Sequence, residues 1–234
     1  MTIELVVFDM AGTTVDDQGV VNRCFREALA AQGLIAEPEA VDAVMGLPKP
    51  EAFRILVGRS DLAGRLAGRL DAIHGDFVSR MVKFYAEDSS VREVPGSCAL
   101  FGKLKAAGIK VGLDTGFSRD IADTILKRLD WIDGGVIDAS VCSDEVAQGR
   151  PHPDMIVHLM SRLGVTDSKR VVKVGDAPAD LDEGFAAGCR WVIGVTWGSH
   201  TRAQLGRYAH THLVDSVDEL SQLLDTAIVP TARG

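Results

Sequence analysis

Short apolar runs of β type alternate along the chain with stretches of helical periodicity, and this alternation restricts the fold more than any other feature. The predicted strands are Leu5–Phe8, Lys110–Leu113, Ala139–Cys142, Val171–Val174, Trp191–Val195 and His212–Val214. Helices are predicted between them at Cys98–Ala107, Arg119–Leu129, Pro153–Leu163 and Leu181–Ala187. Strands separated by helices form a parallel sheet with helices on its faces. The sequence therefore predicts an α/β protein that binds ligands at the carboxyl ends of its strands.

Residues 17–90 interrupt this alternation and contain apolar positions at helical spacing. One apolar face is formed by Val21, Phe25 and Leu29, and a second by Leu62, Leu66, Leu70, Ile73, Phe77, Met81 and Phe84. Three glycines argue against one unbroken second helix: Gly64, Gly68 and Gly75. We predict a core domain of residues 1–16 and 91–234 and an all-helical cap domain of residues 17–90. Asp16 and Asp17 would begin the hinge between them.

Charge and cysteine content narrow the class of protein. The 234 residues carry a net charge of -8, which disfavours nucleic-acid or anionic-membrane partners because both bind basic surfaces. Four cysteines without metal-type spacing are expected to be reduced thiols, as in the cytoplasm. The chain start does not resemble a signal peptide, and no apolar run is long enough to span a membrane. We therefore expect a cytoplasmic protein.

Polar residues follow four of the predicted strands, where a parallel sheet would bring them together. They are Asp9 with Thr13, Thr115 with Gly116, Arg150, and Asp176 with Asp180. Ser118 would cap the next helix and add an anion-binding N-terminus. Carboxylates beside a phosphate favour Mg²⁺, which prefers oxygen ligands. For Asp180 the alternative is a plain helix cap. His152, His158 and His200 have no metal-site spacing and are expected to be surface or helix residues.

Ala11 stands two residues after Asp9, in the segment Phe8-Asp9-Met10-Ala11-Gly12-Thr13-Thr14. A carboxylate nucleophile that cleaves an ester also needs an acid to protonate the leaving oxygen. Alanine cannot be that acid. The sequence therefore predicts either an impaired enzyme or a leaving group that needs no proton from this position.

The order of these clusters resembles the haloacid dehalogenase superfamily of phosphoryl-transfer hydrolases over nearly the whole chain, with a Rossmann-like core and an inserted cap. The resemblance implies that Asp9 is the nucleophile, that Thr13, Thr115 and Gly116 bind phosphate, and that Arg150 acts in catalysis. It implies Mg²⁺ held by Asp9, the backbone carbonyl of Ala11, Asp176 and Asp180. The superfamily usually has aspartate at the position of Ala11 and lysine at that of Arg150.

With alanine and arginine at these two positions, the chain resembles the phosphonatase branch of the superfamily, which comprises the phosphonoacetaldehyde hydrolases and their close relatives. That branch has a cap lysine after a Met-Gly-Leu sequence, which matches Met45-Gly46-Leu47-Pro48-Lys49. The resemblance implies that Lys49 forms a Schiff base with the substrate aldehyde and that Met45 contacts substrate. The stretch Gly194–His200 also resembles the loop that follows the last core strands in this branch. Two positions depart: Ala52 replaces a histidine of proton transfer, and Phe117 a frequent tyrosine.

These residues favour hydrolysis of a C–P bond, because a protonated imine lets carbon leave as an enamine without an acid at position 11. The substrate would be phosphonoacetaldehyde or a related carbonyl phosphonate. Two alternatives stay open: a Mg²⁺-dependent phosphomonoesterase of phosphoglycolate phosphatase type, and a non-catalytic protein that binds a phosphorylated ligand. Without the resemblance, Lys49 would be an exposed turn lysine, and Met45 and Phe53 cap core. A homodimer is an expectation from the resemblance alone.

Overall fold

A single six-stranded sheet organises the protein, and every strand in it is parallel to its neighbours. The computed structural model describes residues 2–228. The strands are β1 (Leu5–Asp9), β2 (Lys110–Thr115), β3 (Ala139–Cys142), β4 (Val171–Gly175), β5 (Trp191–Val195) and β6 (His212–Val214), in the order β3-β2-β1-β4-β5-β6. The predicted parallel α/β architecture is confirmed. β1 lies at the centre, so its carboxyl end is flanked by the ends of β2 and β4.

Residues 17–90 form the helical segment between β1 and the rest of the sheet. It contains α1 (Val20–Ala30), α2 (Pro38–Asp42), α3 (Lys49–Gly58), α4 (Ala63–Leu66) and α5 (Leu70–Glu87). A 3₁₀ turn at Ala67–Arg69 separates α4 from α5, which confirms that the second apolar stretch is not one helix. Gly75, by contrast, lies inside α5 without breaking it. The domain boundaries themselves stay a prediction.

The remaining helices cover the sheet. They are α6 (Ser97–Ala106), α7 (Arg119–Arg128), α8 (Asp154–Leu163), α9 (Pro178–Ala186), α10 (Arg202–Leu205) and α11 (Val217–Ile228). None of the helices between residues 2 and 228 is both long and apolar enough to cross a lipid bilayer. The four cysteines are free thiols, as predicted.

Alternation of side chains along β1 divides the apolar core into two clusters, because successive strand residues point to opposite faces. Val6 and Phe8 lie in the larger cluster, which includes residues of α6 and α7 and continues into the helices of residues 17–90. Leu5 and Val7 lie in the smaller cluster with residues of α8. Both faces of the central strand are therefore buried, as expected of a parallel sheet between helices.

The two chain crossings between the sheet and the helical segment run side by side. Val15 forms an antiparallel bridge with Glu93, and Val94 N donates to the carbonyl of Thr14 at 2.8 Å. The carboxylate of Asp16 pairs with Arg92 at 2.7 Å. These contacts fix where the helical segment leaves the core; the hinge that begins at Asp16 stays a prediction.

Candidate active site

A cavity of about 440 Å³ lies at the carboxyl ends of β1, β2 and β4, between the sheet and the helical segment. The predicted site residues that line it are Asp9, Ala11, Met45, Lys49, Thr115, Gly116, Arg150 and Asp176. Thr13 and Asp180 lie behind its wall and are buried. Thr13 donates its hydroxyl to Asp176 at 3.3 Å. The structure therefore brings together residues from four separate segments that the sequence placed at strand ends.

The loop after β1 folds back tightly beneath Asp9. The carbonyl of Met10 accepts hydrogen bonds from the backbone of Thr14 (2.9 Å) and Val15 (2.8 Å), and the Thr14 hydroxyl donates to the carbonyl of Asp9 at 2.9 Å. Gly12 has φ +89°, and a Cβ there would lie 2.5 Å from an Asp176 oxygen. Only glycine fits this combination of dihedral and approach. The loop holds the carboxylates of Asp9 and Asp176 close together, and Ala11 in the same loop lines the cavity.

Arg150 is the centre of a buried charge cluster. Its guanidinium donates to Asp9 at 2.7 Å and to Glu183 at 3.0 Å, and it also contacts Asp114 and Asp180. Because the guanidinium is planar and rigid, these partners fix its orientation as well as its charge. One edge of it is therefore held against the carboxylate of Asp9.

Lys173 supports this cluster from β4 and was missed by sequence reasoning. Its side chain is 0% exposed; it pairs with Asp114 and lies 3.1 Å from both Asp180 and Glu183. A lysine inside the run Val171-Val172-Lys173-Val174 is the available signal, because a lysine is almost never fully buried unless it is paired. Glu183, one turn into α9, gave no comparable signal.

We expect Lys173→Met to lower the free energy of unfolding by about 3–5 kcal/mol, because it leaves buried carboxylates without their cation. Urea denaturation followed by circular dichroism measures the change. Lys127→Met, at an exposed position on α7, is the matched control and should change the free energy by less than about 0.5 kcal/mol. Equal stability of the two variants would contradict this role for Lys173.

Three buried carboxylates crowd together next to the cavity. One carboxylate oxygen from each of three residues, Asp9, Asp176 and Asp180, lies within 4.8 Å of the other two. Burial raises the pKa of Asp9 to about 8, against the opposing charge of Arg150, and the charges of Asp180 and Asp176 raise it further. Burial and the charge of Asp180 also raise the pKa of Asp176. Crowded oxygen donors with excess negative charge match the ligand preference of a hard divalent cation.

A second group of three carboxylates has crowded oxygens too, but each of its members is paired with a cation. Asp114, Asp180 and Glu183 also have oxygens within 4.8 Å of one another, but Lys173 and Arg150 are paired with all three. Asp180 belongs to both groups, and its Oδ2 accepts from Ala177 N at 3.2 Å at the start of α9. It therefore also makes the helix-start hydrogen bond considered as its alternative.

Lys49 is the first residue of α3, and its side chain enters the cavity from the helical segment. The residue is 5% exposed, and its ammonium lies 5.2 Å from the ring centre of Phe117 and 5.6 Å from that of Phe25. Burial lowers the pKa of Lys49 to about 8, and Arg150 lowers it too, although Asp9 and Asp17 oppose the shift. The amine is therefore neutral far more often at neutral pH than that of an exposed lysine.

The loop before Lys49 rests on core backbone. A Cβ on Gly116 would lie 2.7 Å from the carbonyl oxygen of Leu47, and one on Gly46, which has φ +83°, would lie 2.8 Å from Cβ of Ala177. Both contacts require glycine, because a methyl group would overlap the opposing atoms. The loop that carries Lys49 is therefore seated by main-chain contact on the loops after β2 and β4.

The loop after β5 forms another part of the cavity wall. Trp197 donates its indole N–H to the carbonyl of Thr13 at 3.1 Å, and Ser199 N donates to Asp176 at 2.6 Å. His200 is buried and its Nδ1 lies 2.9 Å from the Ser199 hydroxyl, so the expectation of a surface histidine was wrong there. His152 and His158 are exposed, as predicted.

Two further expectations are decided by packing. Ser118 is the N-cap residue of α7, as predicted, but its hydroxyl makes no capping hydrogen bond; instead the Asp144 carboxylate accepts from Arg119 N at 3.1 Å. A distant carboxylate supplies the acceptor, which local sequence could not reveal. Phe53 is core, stacked on Phe25 with ring centres 4.2 Å apart, whereas Met45 lines the cavity.

Comparison with known proteins gives a consistent assignment. The model of a protein family described as "haloacid dehalogenase-like hydrolase" matches residues 3–188. The chain is 34% identical over 204 residues to a phosphonoacetaldehyde hydrolase of Syntrophobacter fumaroxidans, covering 83% of this chain and 72% of that protein. Its fold is similar to a phosphonoacetaldehyde hydrolase-like protein from Oleispira antarctica (TM-score 0.83, 24% identity, 97% and 93% of the two chains covered). A predicted phosphoglycolate phosphatase from Haemophilus somnus has a TM-score of 0.78 at 20% identity, with 97% and 98% covered.

Proposed function

Because the chain belongs to the haloacid dehalogenase-like hydrolases, we propose that it hydrolyses the C–P bond of phosphonoacetaldehyde or a related carbonyl phosphonate. The observation that carries the proposal is a buried lysine, Lys49, facing the same cavity as Asp9. The 34% identity to a phosphonoacetaldehyde hydrolase supports it. Ala11 supports it as well, since a phosphomonoesterase would need an acid for its leaving oxygen.

On the phosphorus side, Asp9 would attack the phosphonate and form an aspartyl phosphate. The ion pair with Arg150 orients one oxygen of Asp9 and places a fixed positive charge where the phosphonate oxygens would lie. Thr115 and Gly116, at the end of β2, line the same wall and would contact the phosphonate. Water would then hydrolyse the aspartyl phosphate.

The residues present fit a Mg²⁺ ion, since three buried carboxylates crowd their oxygens together. Arg150 and Lys173 offset only part of their charge, because Asp114 and Glu183 share the same two cations. Asp9, Asp176, Asp180 and the carbonyl of Ala11 would hold it. Bound there, the ion would supply positive charge that neutralises the phosphonate and favours the ionised form of the carboxylates. Ser199 and Thr13 already orient the Asp176 carboxylate by hydrogen bonds.

On the carbon side, Lys49 would add to the aldehyde and form a protonated imine. This group accepts the electron pair of the breaking C–P bond, so that carbon leaves as an enamine. The rings of Phe25 and Phe117 surround the amine and favour its neutral, nucleophilic form through desolvation. Protonation of the enamine carbon and hydrolysis of the resulting imine would release the aldehyde and restore Lys49.

Borohydride trapping tests this mechanism. The protein is incubated with phosphonoacetaldehyde and borohydride, digested and mapped by mass spectrometry; a reduced adduct on Lys49, absent from Lys49→Met, is the expected result. Turnover without any adduct would contradict the imine. Efficient hydrolysis of aryl phosphates with no turnover of the phosphonate would favour the phosphomonoesterase alternative. The homodimer and the cytoplasmic location stay predictions.

A further inference from the structure

We propose that Asp17 is the acid–base residue that exchanges protons with the imine at Lys49, an inference that rests on the proposed function. Nothing in the motifs around Asp9 or Lys49 marks it, and the sequence indicates only a position at the hinge. The structure adds that Asp17 lines the same cavity as Lys49.

Neither the residue one turn after Lys49 nor the side chains that face its amine can carry a proton, and Glu51 on the same helix is paired with Arg54. Ala52, one turn after Lys49 in α3, is fully buried in the apolar cluster. The rings that face the ammonium are Phe25 and Phe117. Forming and hydrolysing an imine nevertheless requires a proton to be given to oxygen and later taken back. A donor must therefore come from elsewhere on the cavity wall.

The other carboxylates of the wall are engaged. Asp9 is paired with Arg150 and Asp16 with Arg92, each at 2.7 Å. Asp176, a proposed Mg²⁺ ligand, accepts from both Ser199 N at 2.6 Å and the Thr13 hydroxyl at 3.3 Å. Asp42 accepts from the Asn22 amide at 2.6 Å. Within residues 2–228, Asp17 makes no ion pair and no hydrogen bond with another side chain. It is the carboxyl group left available for proton exchange.

The backbone holds Asp17 in place without neutralising it. Its Oδ1 accepts from Val21 N at 3.1 Å. Burial raises the pKa of Asp17 to about 6, opposed by this hydrogen bond and by the charge of Lys49, and supported by the charge of Asp176. The other titratable groups near it are Tyr85 on α5 and Cys24 on α1, whose pKa values are raised by burial first and also by the charge of Asp17. Asp17 can therefore both donate and accept a proton near neutral pH.

The proton transfers balance over the cycle. The neutral amine of Lys49 adds to the aldehyde to give a carbinolamine. The Asp17 carboxylic acid protonates its hydroxyl, which leaves as water and gives the iminium and the Asp17 carboxylate. After C–P cleavage and protonation of the enamine carbon by solvent, water adds to the iminium and gives its proton to the Asp17 carboxylate. The carbinolamine then releases the aldehyde, and both residues return to their starting states.

Asp17→Asn tests the assignment while preserving the backbone hydrogen bond, because the asparagine oxygen can still accept from Val21 N. We expect kcat for phosphonoacetaldehyde to fall about 100-fold or more, with the Lys49 adduct still trapped but formed more slowly in single turnover. Asp17→Glu should recover about 10-fold over asparagine, because it restores an acid. Asp61→Asn, at an exposed turn position of the helical segment, is the matched control and should stay within about twofold of wild type.

The pH profile separates proton transfer from a structural effect. Wild-type kcat should rise with pH as Lys49 loses its proton and level off near pH 6, where Asp17 begins to ionise. In Asp17→Asn this break should disappear, and the lower activity should rise on towards pH 8. Wild-type kcat in Asp17→Asn, or an unchanged break near pH 6, would overturn the role of Asp17 alone. A wild-type protein that neither turns over phosphonoacetaldehyde nor forms the adduct would overturn the proposed function and this assignment with it.

Discussion

Asp9→Asn should lower kcat for phosphonoacetaldehyde by about four orders of magnitude or more, because an amide cannot form the acyl phosphate that carries the phosphoryl group. The substitution is nearly isosteric, and the asparagine oxygen can still accept the hydrogen bond from Arg150. The fold should therefore be retained. Phosphate release under saturating substrate and Mg²⁺ measures the effect, and thermal unfolding checks the fold.

The control is Asp133→Asn, at an exposed turn position far along the chain, which should leave kcat within about twofold of wild type. If Asp9→Asn kept a tenth of wild-type activity, Asp9 would not be the nucleophile. If the wild-type protein bound inorganic phosphate but turned over neither phosphonates nor phosphate esters, the non-catalytic alternative would become the better description of the chain.

Lys49→Met should abolish C–P cleavage and at the same time stabilise the fold. Loss of the amine removes the imine, so we expect kcat to fall by at least about 10⁴-fold. The stability effect has the opposite sign, because a buried cation is replaced by an apolar side chain of similar size. A single substitution that removes activity and raises the melting temperature is typical of a residue held for function at the expense of stability.

The pH dependence of this gain follows from linkage. The folded-state pKa of Lys49 is about 8, below its ordinary value of 10.5, so folding is penalised wherever the unfolded lysine is charged. The penalty is largest below pH 8, at about 3 kcal/mol, and disappears as the pH rises from 8 towards 10.5. Urea denaturation of both proteins at pH 7 and pH 10 measures it. A variant less stable than wild type at pH 7 would contradict the burial argument.

Strands and their carboxyl-end residues were predictable because local composition determines them. The runs around Val6 and Val172 are apolar enough to be buried on both faces of a parallel sheet, and a parallel sheet has one ligand-binding edge. Asp9, Thr115 and Arg150 were therefore expected to lie close together, and they do. Lys49 was expected at this site from a five-residue sequence resemblance, and the structure adds the burial of its amine.

What the sequence could not reveal depends on packing between distant segments. Glu183 pairs with both Arg150 and Lys173 only when α9 lies against β4. Asp144 supplies the helix-start acceptor in place of Ser118 because the loop after β3 folds back over it. Asp17 shares a cavity with Lys49 only when the helical segment is seated on the core. Each of these contacts is long-range, so no local pattern records it.

The main-chain contacts at Gly46 and Gly116 set the position of the loop that carries Lys49, whereas the side chains lining the cavity determine which substrate fits. Because backbone atoms meet backbone and methyl groups there, the placement of the amine-bearing loop over the nucleophile does not depend on which side chains line the cavity. Met45 sits in that loop and faces the cavity, so its size can change without moving the reacting groups. Under the proposed function, substitution at Met45 would change which carbonyl phosphonates fit the cavity, while Gly46 and Gly116 must stay glycine.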